Sequence, residues 1–172
     1  MAITLELYLE HQIVRGNFES SMDDSKFRPI DLLNFVTGEV IELADAWSAS
    51  LHVESPPAWA DVLRAKREHV FLVIPQDTRP LPPPQHRVTV VEKRPIQAVV
   101  GLGPFAVSGT LYVPSDREGT ISDLEHDPTA RYFIPITEAE VRSQYHPRWR
   151  VKSDLVLFNH SAMSYVHKLS EP

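Results

Sequence analysis

Cysteine is absent from the 172 residues of this chain. Its absence excludes disulfide bonds, thiolate zinc sites and cysteine nucleophiles. Positive charge is also in short supply, because 17 lysines and arginines face 23 aspartates and glutamates and leave a formal net charge of −6. A surface of that sign has no general attraction for the phosphate backbone of nucleic acids. Nucleic-acid binding would therefore need a local cluster of cations.

Long apolar segments are missing too. No run approaches the roughly 20 apolar residues that a membrane-spanning helix requires. Residues 1–10 alternate apolar with polar or acidic side chains, a pattern unlike that of a signal peptide. We therefore expect a cytoplasmic protein with no membrane partner.

The most informative feature that is present is an internal repeat. Residues 3–46 match residues 96–139 at a constant separation of 93, as the glycines Gly16 and Gly109 illustrate. Self-similarity at a fixed spacing indicates one structural unit used twice. What recurs is a pattern of apolar residues and turn glycines, with no set of catalytic groups. The identical pairs are Ile3/Ile96, Leu9/Leu102, Val14/Val107, Gly16/Gly109, Ile41/Ile134 and Ala46/Ala139.

Alternating side chains predict that each unit is mainly β. The period of two that marks a half-buried strand opens both units. Gly16 and Gly109 lie inside the second strand of each unit, where glycine usually marks a bulge, a bend or a close backbone approach. The strands predicted in the first unit are 3–9, 13–20, 40–43, 47–53 and 87–93, and those in the second are 96–100, 105–113, 133–136, 141–145 and 162–168.

Helix signals are short. Pro29 before Ile30–Leu33 and the capping-box spacing of Ser122–Glu125 predict one small helix in each unit. Residues 56–68 also have the spacing of a helical face, through Trp59, Val62 and Leu63. Beyond this segment the two units are aligned by equating Val70–Val73 with Leu155–Phe158, at a separation of 85.

Together these elements predict two similar small bent-sheet or barrel units in tandem, of the Sm-like or SH3-like kind, each with one short helix. The first unit would span residues 1–94 and contain the proline-rich insertion 79–85. The second would span residues 95–172, so that the boundary falls at Arg94–Pro95.

The order of features within each unit resembles the Sm-like barrel. A glycine-bearing strand at 14–18 precedes Asn34 and a strand that ends in an acid and an alanine, Asp45-Ala46. Residues 155–166 are similar to the second Sm motif, a strand, a turn and a strand. The same order also resembles an uncharacterised bacterial domain family with duplicated small β-barrel units.

The resemblance implies a barrel that assembles through exposed strand edges, and for Sm proteins it also implies RNA binding. One departure from the Sm pattern bears on the expected RNA binding. The arginine-glycine pair of the second Sm motif is replaced by Asn159-His160 in one unit and by Pro75-Gln76 in the other.

Two groups of side chains are candidate sites. A basic stretch could form a nucleic-acid patch, with cations on phosphates and an indole stacked on a base; its residues are Arg142, Arg148, Trp149, Arg150 and Lys152. The alternative is a solvated strand face. Among the histidines, only His160 and His167 are placed by a predicted hairpin so that they come near one another as metal ligands. His126 is interpreted as ending the short helix.

No catalytic residue, cofactor or metal site is predicted. Gly101–Ala106 has the letters of a dinucleotide fingerprint, but a strand follows where that chemistry needs a helix N-terminus. We therefore interpret this segment as a strand-joining turn.

Three functions stay open. The leading hypothesis is a non-enzymatic assembly or adaptor module that binds protein partners or itself through strand edges. The first alternative is single-stranded nucleic-acid binding through the basic stretch. The second is a small-ligand or metal-binding enzyme with a site between the units, in which His126, His146 or His160 would act.

Overall fold

The computed structural model describes residues 2–19, 29–35, 38–76, 92–118, 120–125 and 132–169. The chain divides into two compact units, Met1–Gln85 and His86–Pro172, and both are mainly β, as the alternating side chains predict. Arg94 and Pro95, where the sequence places the boundary, lie inside the first strand of the second unit. The proline-rich segment 79–85 and His126 are outside the described residues.

The first unit is an antiparallel sheet with the strand order β5-β1-β2-β3-β4. A short helix, α1 (Pro29–Phe35), precedes β3, as the proline signal predicts, and a 3-10 helix (Arg67–His69) connects β4 to β5. The strands are β1 (Ala2–Tyr8), β2 (Gln12–Glu19), β3 (Val40–Ser50), β4 (Ala58–Lys66) and β5 (Leu72–Pro75).

The second unit has the corresponding order β10-β6-β7-β8-β9. The short helix α2 (Ile121–Glu125) precedes β8, and a 3-10 helix (His160–Ala162) connects β9 to β10. The strands are β6 (Lys93–Leu102), β7 (Phe105–Pro114), β8 (Phe133–Ser143), β9 (Arg150–Asn159) and β10 (Met163–Lys168). In each unit the last strand pairs with the first, yet among the described residues it does not pair with the fourth. Each sheet is therefore open, and a closed barrel is not observed.

The alignment that equates Val70–Val73 with Leu155–Phe158 is wrong. Residues 72–75 form β5, which lies beside β1 as β10 lies beside β6, whereas 155–158 belong to β9. Tyr8 stands opposite Leu72 just as Gly101 stands opposite Tyr165. The separation of 93 therefore continues to the last strand of each unit, β5 and β10. The strand predicted at 87–93 lies almost wholly outside the described residues, and its last residue, Lys93, begins β6.

A β-bulge explains why the strands predicted at 40–43 and 47–53 form the single strand β3. The pairing of β2 with β3 shifts between Arg15/Trp47 and Asn17/Ala44, so that Asp45 and Ala46 together face Gly16. Asp45 has a left-handed φ of 47°. A bulge with its first residue in this conformation bends and twists the sheet while the strand continues. The interruption predicted between 43 and 47 is this bend within β3.

The second unit repeats the bulge. Between Ser108/Glu140 and Thr110/Thr137 the pairing of β7 with β8 shifts in the same way, and Glu138 has φ 50°. Strands predicted at 133–136 and 141–145 are accordingly the single strand β8. In both units the acid-alanine pair of the sequence is the bulge itself.

Glycine is required opposite each bulge because the strands approach closely there. A Cβ atom on Gly16 would lie 2.8 Å from the Cβ of Ala46 and 3.0 Å from the carbonyl oxygen of Ala44. On Gly109 it would lie 2.7 Å from the carbonyl oxygen of Thr137. Both glycines therefore lie opposite a bulge and at a close backbone approach, two of the three meanings that the sequence left open.

The helix predicted within 56–68 is wrong, because residues 58–66 form β4. Leu63 and Ala65 alternate inward against Leu43 and Ile41 of β3. The backbone of 58–66 thereby gains a ladder of cross-strand hydrogen bonds, which overrides a helical spacing of three apolar side chains.

Two smaller points concern turns and caps. α2 is capped two residues earlier than predicted: the backbone N–H of Asp123 donates to Thr120 Oγ1 at 3.3 Å, and the N–H of Thr120 donates to Asp123 Oδ2 at 2.9 Å. Gly103, with φ 54°, and Pro104 form the turn between β6 and β7, so the interpretation of this segment as a strand-joining turn is confirmed. No helix among the described residues is long and apolar enough to cross a bilayer.

Candidate functional site

Four side chains stand opposite one another across the first unit. Glu6 on β1 pairs with Arg15 on β2, Arg15 pairs with Trp47 on β3, and Trp47 pairs with Trp59 on β4. Directly opposite residues of antiparallel strands have Cβ atoms about 4.5–5.5 Å apart and share a face of the sheet. We call these four residues the Arg–Trp row. It combines an acid, a cation and two indoles.

The inner end of the Arg–Trp row is half-buried. The side-chain amide of Gln76 donates to Glu6 Oε2 at 2.8 Å. Burial raises the pKa of the Glu6 carboxyl, although the charge of Arg15 and a hydrogen bond from Tyr8 act in the opposite direction. Burial raises the pKa of the Tyr8 phenol as well, and the neighbouring Glu6 adds to that shift. This end of the row is therefore a packed polar contact.

The outer end of the row lies in solvent. Trp59 is 73% exposed and Val62 is 46% exposed. Every residue from Ala58 to Val62 is exposed, whichever face it occupies. In the part of the chain that the structure describes, β4 pairs only with β3, so its other edge presents backbone N–H and C=O groups to solvent. A strand edge of this kind is a template for pairing with another chain.

The edge strand of the second unit, β10, is organised differently. It has six residues, and its pairing with β6 is irregular between Met163 and Tyr165. The hydroxyl of Ser164 donates to the carbonyl of Gly101 at 3.1 Å. Two exposed basic residues, His167 and Lys168, end the strand. Irregular pairing and basic side chains are devices that discourage pairing with other chains.

The row of the second unit that corresponds to the Arg–Trp row has other side chains. Val99 pairs with Ser108, Ser108 with Glu140, and Glu140 with Lys152. Neither indole is retained. The two units therefore share their strand order and differ in the side chains of this row.

The structure brings three residues of the predicted basic patch together on the β8–β9 hairpin. Arg142 Nε lies 2.6 Å from Glu140 Oε1, and Lys152 Nζ lies 3.9 Å from Glu140 Oε2. Arg150 stands opposite Arg142. The hydrogen bond from Arg142 lowers the pKa of the Glu140 carboxyl. Glu140 therefore stays ionised among these cations and offsets part of their charge.

The remaining two patch residues precede β9. Arg148 is exposed, and the ring of Trp149 lies 6.1 Å from that of Phe105, centroid to centroid. Phe105 is fully buried. The indole thus packs partly toward the interior of the unit, which leaves less of it for stacking on a base. Nucleic-acid binding by this patch stays a prediction.

The histidines considered in the sequence occupy separate places. His160 lies in a 3-10 helix with its Nδ1 atom 3.1 Å from the carbonyl oxygen of Tyr132, and His167 is exposed on β10. His146 is in the turn after β8, where its N–H donates to Ser143 Oγ at 3.2 Å. Among the described side chains no three of His, Asp and Glu converge as a metal site.

A pair of histidines that the sequence does not indicate does come together. His11 Nδ1 lies 3.0 Å from His52 Nε2, and the ring centroids are 5.1 Å apart. These residues are 41 positions apart, in the turn after β1 and just beyond β3. A sequence pattern of histidines on one strand or helix does not reveal this pair, because the two segments are brought together only by the pairing of Gln12 with Ser50.

No protein-family model, no curated protein and no solved structure matches this chain. Its function is therefore argued from its own geometry.

Proposed function

We propose that this chain is a non-enzymatic assembly module, built from two small barrel-like units, which binds a second copy of itself through the free edge of β4. The single observation that carries the proposal is this edge, which among the described residues pairs on one side only and exposes Trp59 and Val62. The shared strand order, the paired bulges and the 3-10 helix before the last strand support the barrel-like description of both units.

The β4 edge has few of the features that keep edge strands from pairing, because its two basic residues, Arg64 and Lys66, lie only at its end. Such strands are usually short, bulged, or interrupted by lysine or proline. β4 has nine residues and pairs with β3 without a register shift. Its first six residues, Ala58–Leu63, carry a single charge, that of Asp61. β10, which is shorter and pairs irregularly with β6, is the better protected edge by comparison.

A second copy fits this edge through an antiparallel β4–β4 pair. Full overlap of 58–66 with itself centres the pair on Val62, which then faces its own counterpart across a two-fold axis. No two charges are opposite each other in this register, whose remaining pairs are Asp61/Leu63, Ala60/Arg64, Trp59/Ala65 and Ala58/Lys66. A two-fold contact uses the same surface on both chains and closes at two copies.

The test is size-exclusion chromatography with light scattering across micromolar concentrations. We expect wild-type protein to have twice the chain mass of 19.5 kDa. Val62→Lys places two ammonium groups opposite each other and should give a monomer, as should Val62→Glu with two carboxylates. Mixing the two variants pairs opposite charges and should restore the dimer.

The matched control is His167→Lys, which adds a lysine to the other edge strand and should leave the dimer intact. A monomeric wild type would overturn the proposal. So would loss of the dimer in His167→Lys but not in Val62→Lys, because that result places the contact on β10. A mass above that of two copies contradicts a closed two-fold contact.

A further inference from the structure

Two loops of the first unit hold His11 and His52 against each other. The N–H of Leu51 donates to the carbonyl of His11 at 2.9 Å, which ties the turn after β1 to the segment after β3. Ser50 Oγ accepts the N–H groups of His52 and Val53, both at 3.1 Å. The backbone at each histidine is therefore fixed by hydrogen bonds, although both rings are exposed.

The spacing of the two ring nitrogens suits a shared metal ion. His11 Nδ1 and His52 Nε2 are 3.0 Å apart. With metal–nitrogen bonds of about 2.0–2.1 Å, two imidazoles on one ion are about 2.9 Å apart at right angles and about 3.4 Å apart at the tetrahedral angle. The observed distance lies between these values, so both nitrogens can bind one ion once each exposed ring turns its nitrogen lone pair from the other ring toward the ion.

The protons are also well placed for such an ion. A nitrogen that binds a metal must have lost its proton, so His11 would carry its proton on Nε2. Glu10 Oε2 lies 3.8 Å from that nitrogen. Because the Glu10 side chain is exposed, a rotation brings it to hydrogen-bond distance. A carboxylate behind a ligating histidine orients the ring and raises its basicity.

We propose that His11 and His52 bind a divalent transition-metal ion of the Cu²⁺, Ni²⁺ and Zn²⁺ class, with Glu10 as the carboxylate partner of His11. Imidazole suits these ions, whereas Mg²⁺ and Ca²⁺ prefer oxygen ligands. Two protein ligands leave the remaining coordination positions to water or to a donor from another molecule. The site uses none of the residues of the β4 edge and is independent of the assembly proposed above.

The experiment is a titration of untagged full-length protein with Ni²⁺ and Zn²⁺ by calorimetry, with Mg²⁺ as the negative ion. Wild-type protein should bind one Ni²⁺ or Zn²⁺ per chain. His11→Gln and His52→Gln should each weaken that affinity at least tenfold. Paramagnetic Ni²⁺ should broaden the NMR signals of residues 9–13 and 50–53 before any others.

The matched control is His69→Gln. His69 is an exposed histidine whose ring also lies near a glutamate, with Nε2 3.6 Å from Glu68 Oε1. Its replacement should leave the affinity within twofold of wild type. Unchanged affinity in the double variant His11→Gln/His52→Gln would overturn the proposal. Equal weakening by His69→Gln would do the same, because the binding would then belong to surface histidines in general.

Discussion

Replacing Gly16 with alanine tests the close approach of β2 to β3 at the bulge. The added methyl group would lie 2.8 Å from the Cβ of Ala46 and 3.0 Å from both the Ala44 carbonyl oxygen and the Leu43 Cβ. All three neighbours are backbone or Cβ atoms, which cannot rotate away as the end of a long side chain can. The strands must separate locally to accept the methyl group.

The expected loss follows from two opposing effects. Overpacking of a well-packed interior costs about 1–3 kcal/mol, and this rigid surrounding favours the upper half of that range. Alanine also has fewer accessible conformations than glycine in the unfolded chain, which stabilises the folded state by about 0.4–1 kcal/mol. The net prediction is a decrease of about 1–2.5 kcal/mol in the free energy of unfolding, measured by urea denaturation with circular dichroism.

The chain supplies a control glycine. Among the described residues, the nearest neighbour of a Cβ on Gly38 would be the backbone nitrogen of Val40 at 4.0 Å, so Gly38→Ala should be neutral or stabilising by up to about 1 kcal/mol. Gly109→Ala, with a clash at the Thr137 carbonyl, should behave like Gly16→Ala. If Gly16→Ala proves as stable as Gly38→Ala, the bulge does not require glycine and the reasoning fails.

The remaining predictions concern strain and charge. Because Asp45 has φ 47°, Asp45→Gly should stabilise the fold by up to about 1 kcal/mol and Asp45→Val should destabilise it by about 1–2 kcal/mol, as compared by urea denaturation. Because the pKa of Glu6 is raised in the folded state, the folded protein binds more protons than the unfolded protein at pH values just above the ordinary pKa of 4.5. The contribution of Glu6 to the free energy of unfolding therefore falls as the pH rises from 4.5 through its folded-state pKa. Unfolding measured as a function of pH should therefore show Glu6→Gln gaining stability relative to wild type as the pH rises above about 4.5. Glu140, whose pKa is lowered by Arg142, contributes stability that is present above its unfolded value and lost as the pH falls, so Glu140→Gln should show the opposite trend.

The bulges show how much a repeat in the sequence can predict. Gly16 and Gly109 recur at one separation together with the acid-alanine pairs at 45–46 and 138–139. A glycine on one strand and an extra residue opposite it are two halves of one device. The repeat in the sequence therefore picked out both the glycine and the acid-alanine pair of each bulge. It did not show that they face each other, because that follows from strand register and not from spacing along the chain.

β4 shows where local patterns fail. Trp59, Val62 and Leu63 have helical spacing, and only cross-strand pairing with β3 decides that they belong to a strand. Such pairing is a tertiary interaction that overrides a weak local preference. The same error misaligned the two units beyond residue 56, because a helix at 56–68 left no strand in the first unit to match β9. The candidate edge was hidden for this reason.

Side-chain pairs that are distant in sequence lie beyond prediction from spacing alone. The sequence brings only His160 and His167, seven residues apart, near one another through a predicted hairpin, whereas the pair in contact is His11 and His52, which are 41 apart. Two loops meet at this pair because β2 and β3 are neighbours and end at the same side of the sheet. Once the strand order is known, the proximity of the two residues follows.

The divergence between the units favours a specific role for the first one. Both keep the bulge and its glycine, which shape the sheet, while the Arg–Trp row with Arg15, Trp47 and Trp59 is replaced by a row that includes Glu140 and Lys152. Tryptophan is a frequent hot spot in protein interfaces, and its truncation there commonly costs 2 kcal/mol or more, roughly 30-fold in affinity. Light scattering over a dilution series should therefore show that Trp59→Ala weakens the dimer by at least tenfold, whereas Lys152→Ala, at the corresponding position of the second unit, leaves it unchanged. Equal effects of the two substitutions would mean that the indole is not part of the contact, and the β4 edge would lose its strongest apolar anchor.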